Sequence, residues 1–249
     1  MTDHSCIART ARAVTAVAAA ALLVLVAAGH GALAAEPEPE RIAIIGTGNV
    51  GSALGERWAV AGHAVTWGTR RPDDEDIAAL VARTGHGASA QPLVDAVAEA
   101  DVVVLAIPWT AVDEVLDTLG ELAGRIVVDP INATRFADGR VTLAHPALAE
   151  HIASRVPGAR VVKALNTTVA EHMRAPPDTH PVTVPLAGDD PAAVARVARL
   201  VADLGLFAQH VGPLYNARHV EAMGILYIDV NLMHEDIPGL EYRLEPVQR

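Results

Sequence analysis

Gly46, Gly48 and Gly51 stand at the spacing GxGxxG between a short apolar run and a helical pattern. A dinucleotide's pyrophosphate asks for that spacing in a backbone. Gly46 permits a tight turn out of a strand. Gly48, having no Cβ, lets the chain come close to a phosphate. Gly51 lets the next helix lie close on the sheet. Thr47, Asn49 and Val50 complete the turn, and the unpaired N–H groups at the helix start face the phosphate charge.

The elements that must position these glycines are legible on either side. Ile42-Ala43-Ile44-Ile45 is long enough for one buried strand. Val50, Leu54 and Trp58 are spaced four apart and share one helix face. Gly62 stops that helix, and Ala64-Val65-Thr66-Trp67 reads as a second strand. At its end an NAD site would carry Asp or Glu, about 20 residues past the glycines. This chain instead reads Gly68-Thr69-Arg70-Arg71. A guanidinium matches a phosphate and a threonine adds a hydroxyl, so the cofactor expected is NADP, with Arg70 on the 2′-phosphate and Thr69 assisting. Asp73-Asp74-Glu75-Asp76 would repel a phosphate if turned inward, and they suit the start of the next helix.

The whole composition narrows the alternatives. With 249 residues, 51% of them hydrophobic, the chain can bury one large core, or one core and a small lobe. A net charge of −11 without a basic run argues against nucleic acid as a partner. Cys6 is the single cysteine, and the eleven histidines show no ligand spacing, so neither a disulfide nor a metal site is expected. His63, His86 and His210 read as turn or surface residues.

Before the glycine motif the chain does not read as fold. Arg9 and Arg12 precede the uncharged run 13–28, and Ala32-Leu33-Ala34 follows. The pattern fits a secretory signal peptide over 1–35, cut after Ala34 or Ala35, with an uncleaved anchor over 13–35 as the alternative. The protein is then exported, periplasmic or membrane-anchored, or cytoplasmic if translation starts later. Residues 36–40, EPEPE, read as a stiff linker.

After the opening unit, Ile77, Leu80 and Val81 mark a helix ending before Gly85, and a helix over 92–100 turns Leu93, Val94 and Val97 to the sheet. Residues 101–107 form a continuous apolar strand, as in parallel sheets buried on both faces. Thr110-x-x-Asp113 resembles a capping box for a helix carrying Val112, Val115, Leu116 and Leu119. Strands are expected over 125–128, 159–164, 181–187 and 206–211. Helices are expected over 143–156, from Pro191 with Asp190 as its cap, and from Leu214 onward. The alternation predicts an α/β fold, a Rossmann-like doubly wound parallel sheet over 41–187, with a small C-terminal lobe over 188–249 for substrate or dimerisation. Lys163, the only lysine, and Asn166 end one strand, where ligands bind in open sheets. They are candidate substrate contacts, with an ion pair for Lys163 and a turn role for Asn166 as the other reading. The stripe from Met223 onward reads as core or as a contact between two copies.

These segments in order resemble a known family. GTGNVGSALG, AGHAVTWGTR, LAIPW, VVDPIN, VVKALNT and GDDPAAVARVARLVADLGL with VGPLYNARHVEAM are similar to the NADP-dependent oxidoreductases that use the deazaflavin coenzyme F420. The STEAP reductase domain and the amino-terminal domain of pyrroline-5-carboxylate reductases are more distant likenesses. The resemblance implies NADP(H) across the sheet's switch point, Thr69 and Arg70 on the 2′-phosphate, and Ile107 and Pro108 at the nicotinamide end. It marks Arg71 as the stand-in for a further basic residue that relatives carry. It brings Tyr215 and Asn216 forward as candidate substrate contacts, implies coenzyme F420 as co-substrate, and suggests a homodimer. A hydride passing between stacked rings needs position and dryness more than acid–base groups, and no catalytic residue is assigned. The competing readings are a reductase of a flavin, a metal chelate or an imine, and a module that holds NADP without turnover.

Overall fold

The computed structural model describes residues 38–178, 181–245 and 247. The expected leader lies outside them. So do the first two residues of the linker, 36 and 37, but its last residue is structural. Glu40 is buried, its carboxylate is held by Arg196 and Arg199, and its carbonyl accepts from the Ala64 amide at 2.9 Å. Among the described residues no helix is long and apolar enough to cross a membrane.

The first half winds as the periodicities require. β1 (Arg41–Ile45), α1 (Asn49–Val60), β2 (Ala64–Thr69), α2 (Glu75–Thr84), β3 (Ser89–Pro92), α3 (Leu93–Ala98), β4 (Val102–Leu105), α4 (Val112–Leu119) and β5 (Ile126–Asp129) alternate along the chain. Every residue of β4 and β5 is buried, which explains why neither shows a polar alternation. Within β1, Ile42 and Ile44 join the core under α1, while Ala43 and Ile45 join the core on the other face. Trp58 of α1 lies wholly inside and donates to the Leu200 carbonyl at 2.8 Å.

The second half departs from the simple winding. A hairpin, β6 (Thr134–Ala137) with β7 (Arg140–Leu143), stands apart as its own two-stranded sheet. The helix expected over 143–156 is therefore shorter, α5 (Leu148–Arg155). β8 (Arg160–Lys163), the short α6 (Ala170–Arg174), β9 (Thr183–Gly188), α7 (Pro191–Asp203), β10 (Phe207–His210) and α8 (Ala217–Met233) complete the chain. Asp190 caps α7 as read, accepting from the Ala193 amide at 2.7 Å, with a proline in the first turn.

The eight-stranded order is β10-β9-β8-β5-β4-β1-β2-β3. All pairs are parallel except β8 with β9, so the sheet is two parallel blocks joined by one antiparallel seam. The boundary expected at 187/188 does not separate a lobe. β10 extends the sheet, α7 packs under it, and Pro39–Arg249 fold as one compact unit. Three local expectations also change. Val94 faces solvent and Ala96 takes its place in the core. β3 was not foreseen. Thr110 lies in a 3-10 turn, Ala111 starts α4 without a side-chain cap, and Asp113 pairs with His151 and Arg155 instead of capping.

Candidate functional site

The carboxyl ends of β1, β2, β4 and β5 are neighbours in the sheet, and a groove runs along them. One part, about 390 Å³, lies between the glycine turn, the end of β2 at Thr69 and Arg70, and the face of α4. The other, about 400 Å³, continues past Ile107 and Pro108 to Trp109, Ile131 and Asn132. Gly48, Ala106, Ile107 and Pro108 line both, so the two are one elongated trough. A further cavity of about 380 Å³ opens among Arg41, Ala64 and Asp95. It lies at the amino ends of β1 and β2, away from the end where open α/β sheets bind ligands.

The three glycines have different reasons. Gly46 sits at φ +110°, and a Cβ there would stand 2.2 Å from the Ala106 carbonyl oxygen. A Cβ on Gly51 would stand 2.2 Å from the carbonyl oxygen of Gly46. Gly48 has an ordinary φ of −75° and nothing within 4 Å of its would-be Cβ. Neither its conformation nor its packing calls for glycine, so the remaining reason is a ligand approaching the backbone from the trough. No side chain caps α1, which leaves its first N–H groups turned outward. Arg174 donates to the Asn49 carbonyl and to Ser52 Oγ at 2.8 Å, steadying that turn from the side. These features fit a dinucleotide's pyrophosphate.

At the end of β2, Arg70 is exposed and makes no ion pair or side-chain hydrogen bond among the described residues. Arg71 differs. Its Nε lies 3.1 Å from Asp74, and its amide donates to Thr69 Oγ1 at 3.3 Å. The acidic stretch therefore occupies Arg71 and leaves Arg70 as the free cation.

The candidate substrate contacts do not line the trough. Lys163 has no exposure, pairs with Asp129 at 3.0 Å and donates to the Ile131 carbonyl. Asp129 accepts from the Ile131 amide at 2.9 Å. Both backbone groups of Ile131, a trough residue, are thus held from behind. Asn166 is 2% exposed and donates to Asn132 Oδ1 at 3.1 Å, while Asn132 donates back to the Asn166 carbonyl at 2.7 Å. The ion-pair reading of Lys163 prevails, and Asn166 supports the wall without touching its open side. Tyr215 lies out on the surface under the Arg218 guanidinium, 4.2 Å from its ring centre. Asn216 is spent on the Val211 carbonyl at 2.7 Å.

Behind this wall lies Glu221, 4.0 Å from Lys163 and bonded to the Ala149 amide at the start of α5. Burial pushes its carboxyl above the usual glutamate range, against the pull of Lys163 and the helix amides.

Sequence reasoning missed much of the lining. Ala111, which caps α4, and Glu114, Val115 and Thr118 within it form one stripe facing the trough. That spacing was visible, but only the adjoining apolar face, which shares Val115, was read. Trp109 and the 130–134 loop gave no periodic signal; here Trp109 Nε1 donates to the Thr134 carbonyl at 3.1 Å.

Comparison with known proteins bears on the same region. The family model for NADP oxidoreductase coenzyme F420-dependent matches residues 41–133. The F420-dependent NADP reductase of Methanothermobacter thermautotrophicus is 30% identical over 211 residues, covering 77% of this chain and 89% of that one. The metalloreductase STEAP3 of Rattus norvegicus is 29% identical over 195 residues, 78% of this chain, yet the chain spans only 38% of that protein. A crystal structure of a putative F420-dependent NADP-reductase from Arthrobacter superposes with a TM-score of 0.69 at 32% identity, over 76% of this chain and 92% of its own.

Proposed function

The chain belongs to the coenzyme F420-dependent NADP oxidoreductase family, and on that premise we propose that it passes a hydride between NADP(H) and a deazaflavin-type acceptor such as coenzyme F420. Membership makes it an NADP-dependent oxidoreductase; the acceptor is our reading. When bound, NADPH supplies the hydride.

The protein's share is to hold, orient and exclude water. In this reading the Gly46–Gly51 turn and the amino end of α1 take the pyrophosphate. Thr69 and Arg70 take the 2′-phosphate, and Ile107 and Pro108 flank the nicotinamide end.

One observation favours a conjugated ring, deazaflavin or flavin, over an imine, and the preference for the deazaflavin follows the relatives. Among the described residues no ionisable side chain lines the part of the trough beyond Pro108, where Val50, Trp109, Pro130, Ile131, Asn132 and Thr134 face the opening. An acceptor that receives a hydride there receives no proton from a side chain on that wall. A flat conjugated ring suits such a wall, because it spreads the electron pair it gains over its own atoms. An imine would ask for a neighbouring proton donor, and this wall offers none.

We read the protein as a homodimer, supported by Leu226 and Leu232, which stand exposed on α8. Residues 1–35 are read as a leader or anchor, which amino-terminal sequencing of the native protein decides. The test of the acceptor is direct. Purified protein should oxidise NADPH when coenzyme F420 is present and not when FMN or a cyclic imine replaces it. Turnover with FMN or the imine, and none with the deazaflavin, overturns the reading.

A further inference from the structure

The adenosine end of the trough holds two charges that do not meet. Arg70 lines it from the end of β2, and Glu114 lines it from α4. No ion pair joins them, and the Glu114 carboxylate has no ion-pair or hydrogen-bond partner of any kind among the described residues. The neighbouring acids of the same helix are spent: Asp113 holds His151 at 2.7 Å and also Arg155, which reaches Asp117. Glu114 is therefore the acid of α4 that faces the trough with its acceptor oxygens unused.

An unpaired carboxylate is out of place in a cavity that is to take a phosphorylated ribose, unless it meets a donor there. The surrounding residues say which donor. Leu93, Ala111 and Val115 give this part of the trough apolar walls. The flat, weakly polar piece of an adenosine phosphate is its base, so the base belongs between those walls and the phosphate belongs at Arg70. Glu114 lies one residue before Val115 and one turn before Thr118, at the rim of the same stripe. With the 2′-hydroxyl phosphorylated, the exocyclic amino group is the donor on the base's own edge, and a carboxylate accepts from it without any proton transfer.

We propose that Glu114 accepts a hydrogen bond from the exocyclic amino group of the cofactor's adenine, and so selects adenine over bases that carry a carbonyl there. This rests on reading the trough as the NADP site. A hypoxanthine base presents an oxygen in place of the amino group. Facing Glu114, that oxygen meets a second acceptor with no hydrogen between them, which is repulsive, and the carboxylate reaches the neighbouring ring N1–H only if the base shifts between its walls.

The experiment compares NADPH with its hypoxanthine analogue, deamino-NADPH, on the full-length protein. Equilibrium dissociation constants are measured by quenching of protein or nicotinamide fluorescence, alongside Glu114→Ala and Glu114→Gln. Wild type should bind NADPH tighter than deamino-NADPH by roughly ten- to a hundredfold. Glu114→Ala should remove most of that preference by weakening NADPH alone. Glu114→Gln can turn its amide either to donate or to accept, so it should keep most of the affinity for NADPH and bind deamino-NADPH about as well.

Equal binding of both cofactors by wild type overturns the proposal. So does an equal loss for both in Glu114→Ala, which would put the carboxylate on the ribose, or a gain for NADPH in that variant, which would mark it as a repulsive neighbour of the phosphate. If wild type binds neither cofactor, the site reading itself has failed, and the assignment of Glu114 falls with it. Because the position is exposed on a helix, loss of the fold is not an expected consequence of either change, and unfolding curves of the variants check this.

Discussion

Lys163 and Asp129 face each other at 3.0 Å at the adjacent carboxyl ends of β8 and β5, and neither side chain has any exposure. Between them they hold the amide and the carbonyl of Ile131. Breaking such a pair strands a charge in the interior. Lys163→Met should cost about 3–5 kcal/mol in urea unfolding. Adding Asp129→Asn should recover part of that loss, since Asn still offers an oxygen to the Ile131 amide. A Lys163→Met protein as stable as wild type would mean that the pair is open to water.

Glu221 gives the same cluster a pH signature. Its carboxyl is raised mainly by burial, so the folded chain keeps that proton to higher pH than the unfolded chain does. Stability from this group is full below the unfolded pKa and is lost as pH rises through the folded one. Glu221→Gln carries no such group. The stability difference, wild type minus variant, should therefore shrink or change sign as pH climbs above the ordinary glutamate range. Unfolding midpoints measured across that range check it, and parallel curves would assign the charge elsewhere.

How far the chain could be read depended on how each element earns its place. β1, β4 and β5 are buried on both faces, and an unbroken apolar run announces that. α7 carried its own start signal in Asp190 and Pro191. β3, Ser-Ala-Gln-Pro, is an edge strand held by its backbone register to β2, and no hydrophobic pattern marks it. The β6–β7 hairpin did leave a trace, since Asp138 and Gly139 take φ of +52° and +69°, as a tight hairpin turn requires. It was passed over because Arg135, Phe136 and Ala137 lie exposed and do not alternate. Half of the site was legible for a similar reason. The glycines and Arg70 owe their place at the trough to backbone geometry and chain position that local spacing encodes. The wall at Ile131 depends on Lys163 and Asp129, which lie 34 positions apart and meet only in the sheet.

The glycines of the turn separate stability from binding. Gly51→Ala drives a Cβ into the Gly46 carbonyl and should cost about 1–3 kcal/mol or more of stability. Gly48→Ala meets nothing, so its effect on unfolding should be about 1 kcal/mol or less, as for an alanine at a helix cap. Its effect should appear in the NADPH dissociation constant, because the methyl group occupies the approach to the backbone. If Gly48→Ala binds NADPH as wild type does, the pyrophosphate does not rest on this turn.

Arg70 and Arg71 are adjacent and of one type, yet their surroundings assign them different work. Arg71 is engaged by Asp74 and its amide by Thr69, whereas Arg70 lines the trough without a partner. A guanidinium on a phosphate makes charge-assisted bonds of about 1.5–3 kcal/mol. Arg70→Ala should therefore raise the dissociation constant for NADPH by roughly ten- to a hundredfold while leaving NADH nearly unchanged. Arg71→Ala should do much less, because its charge is already partly neutralised. Asp74→Ala offers the complementary measurement: it frees Arg71 and removes a like charge from the neighbourhood of the phosphate, so NADPH should bind somewhat tighter, most visibly at low salt. Equal losses for NADPH and NADH in Arg70→Ala would take this residue off the 2′-phosphate. A larger loss in Arg71→Ala than in Arg70→Ala would mean that cofactor binding breaks the Arg71–Asp74 pair and turns the second arginine inward.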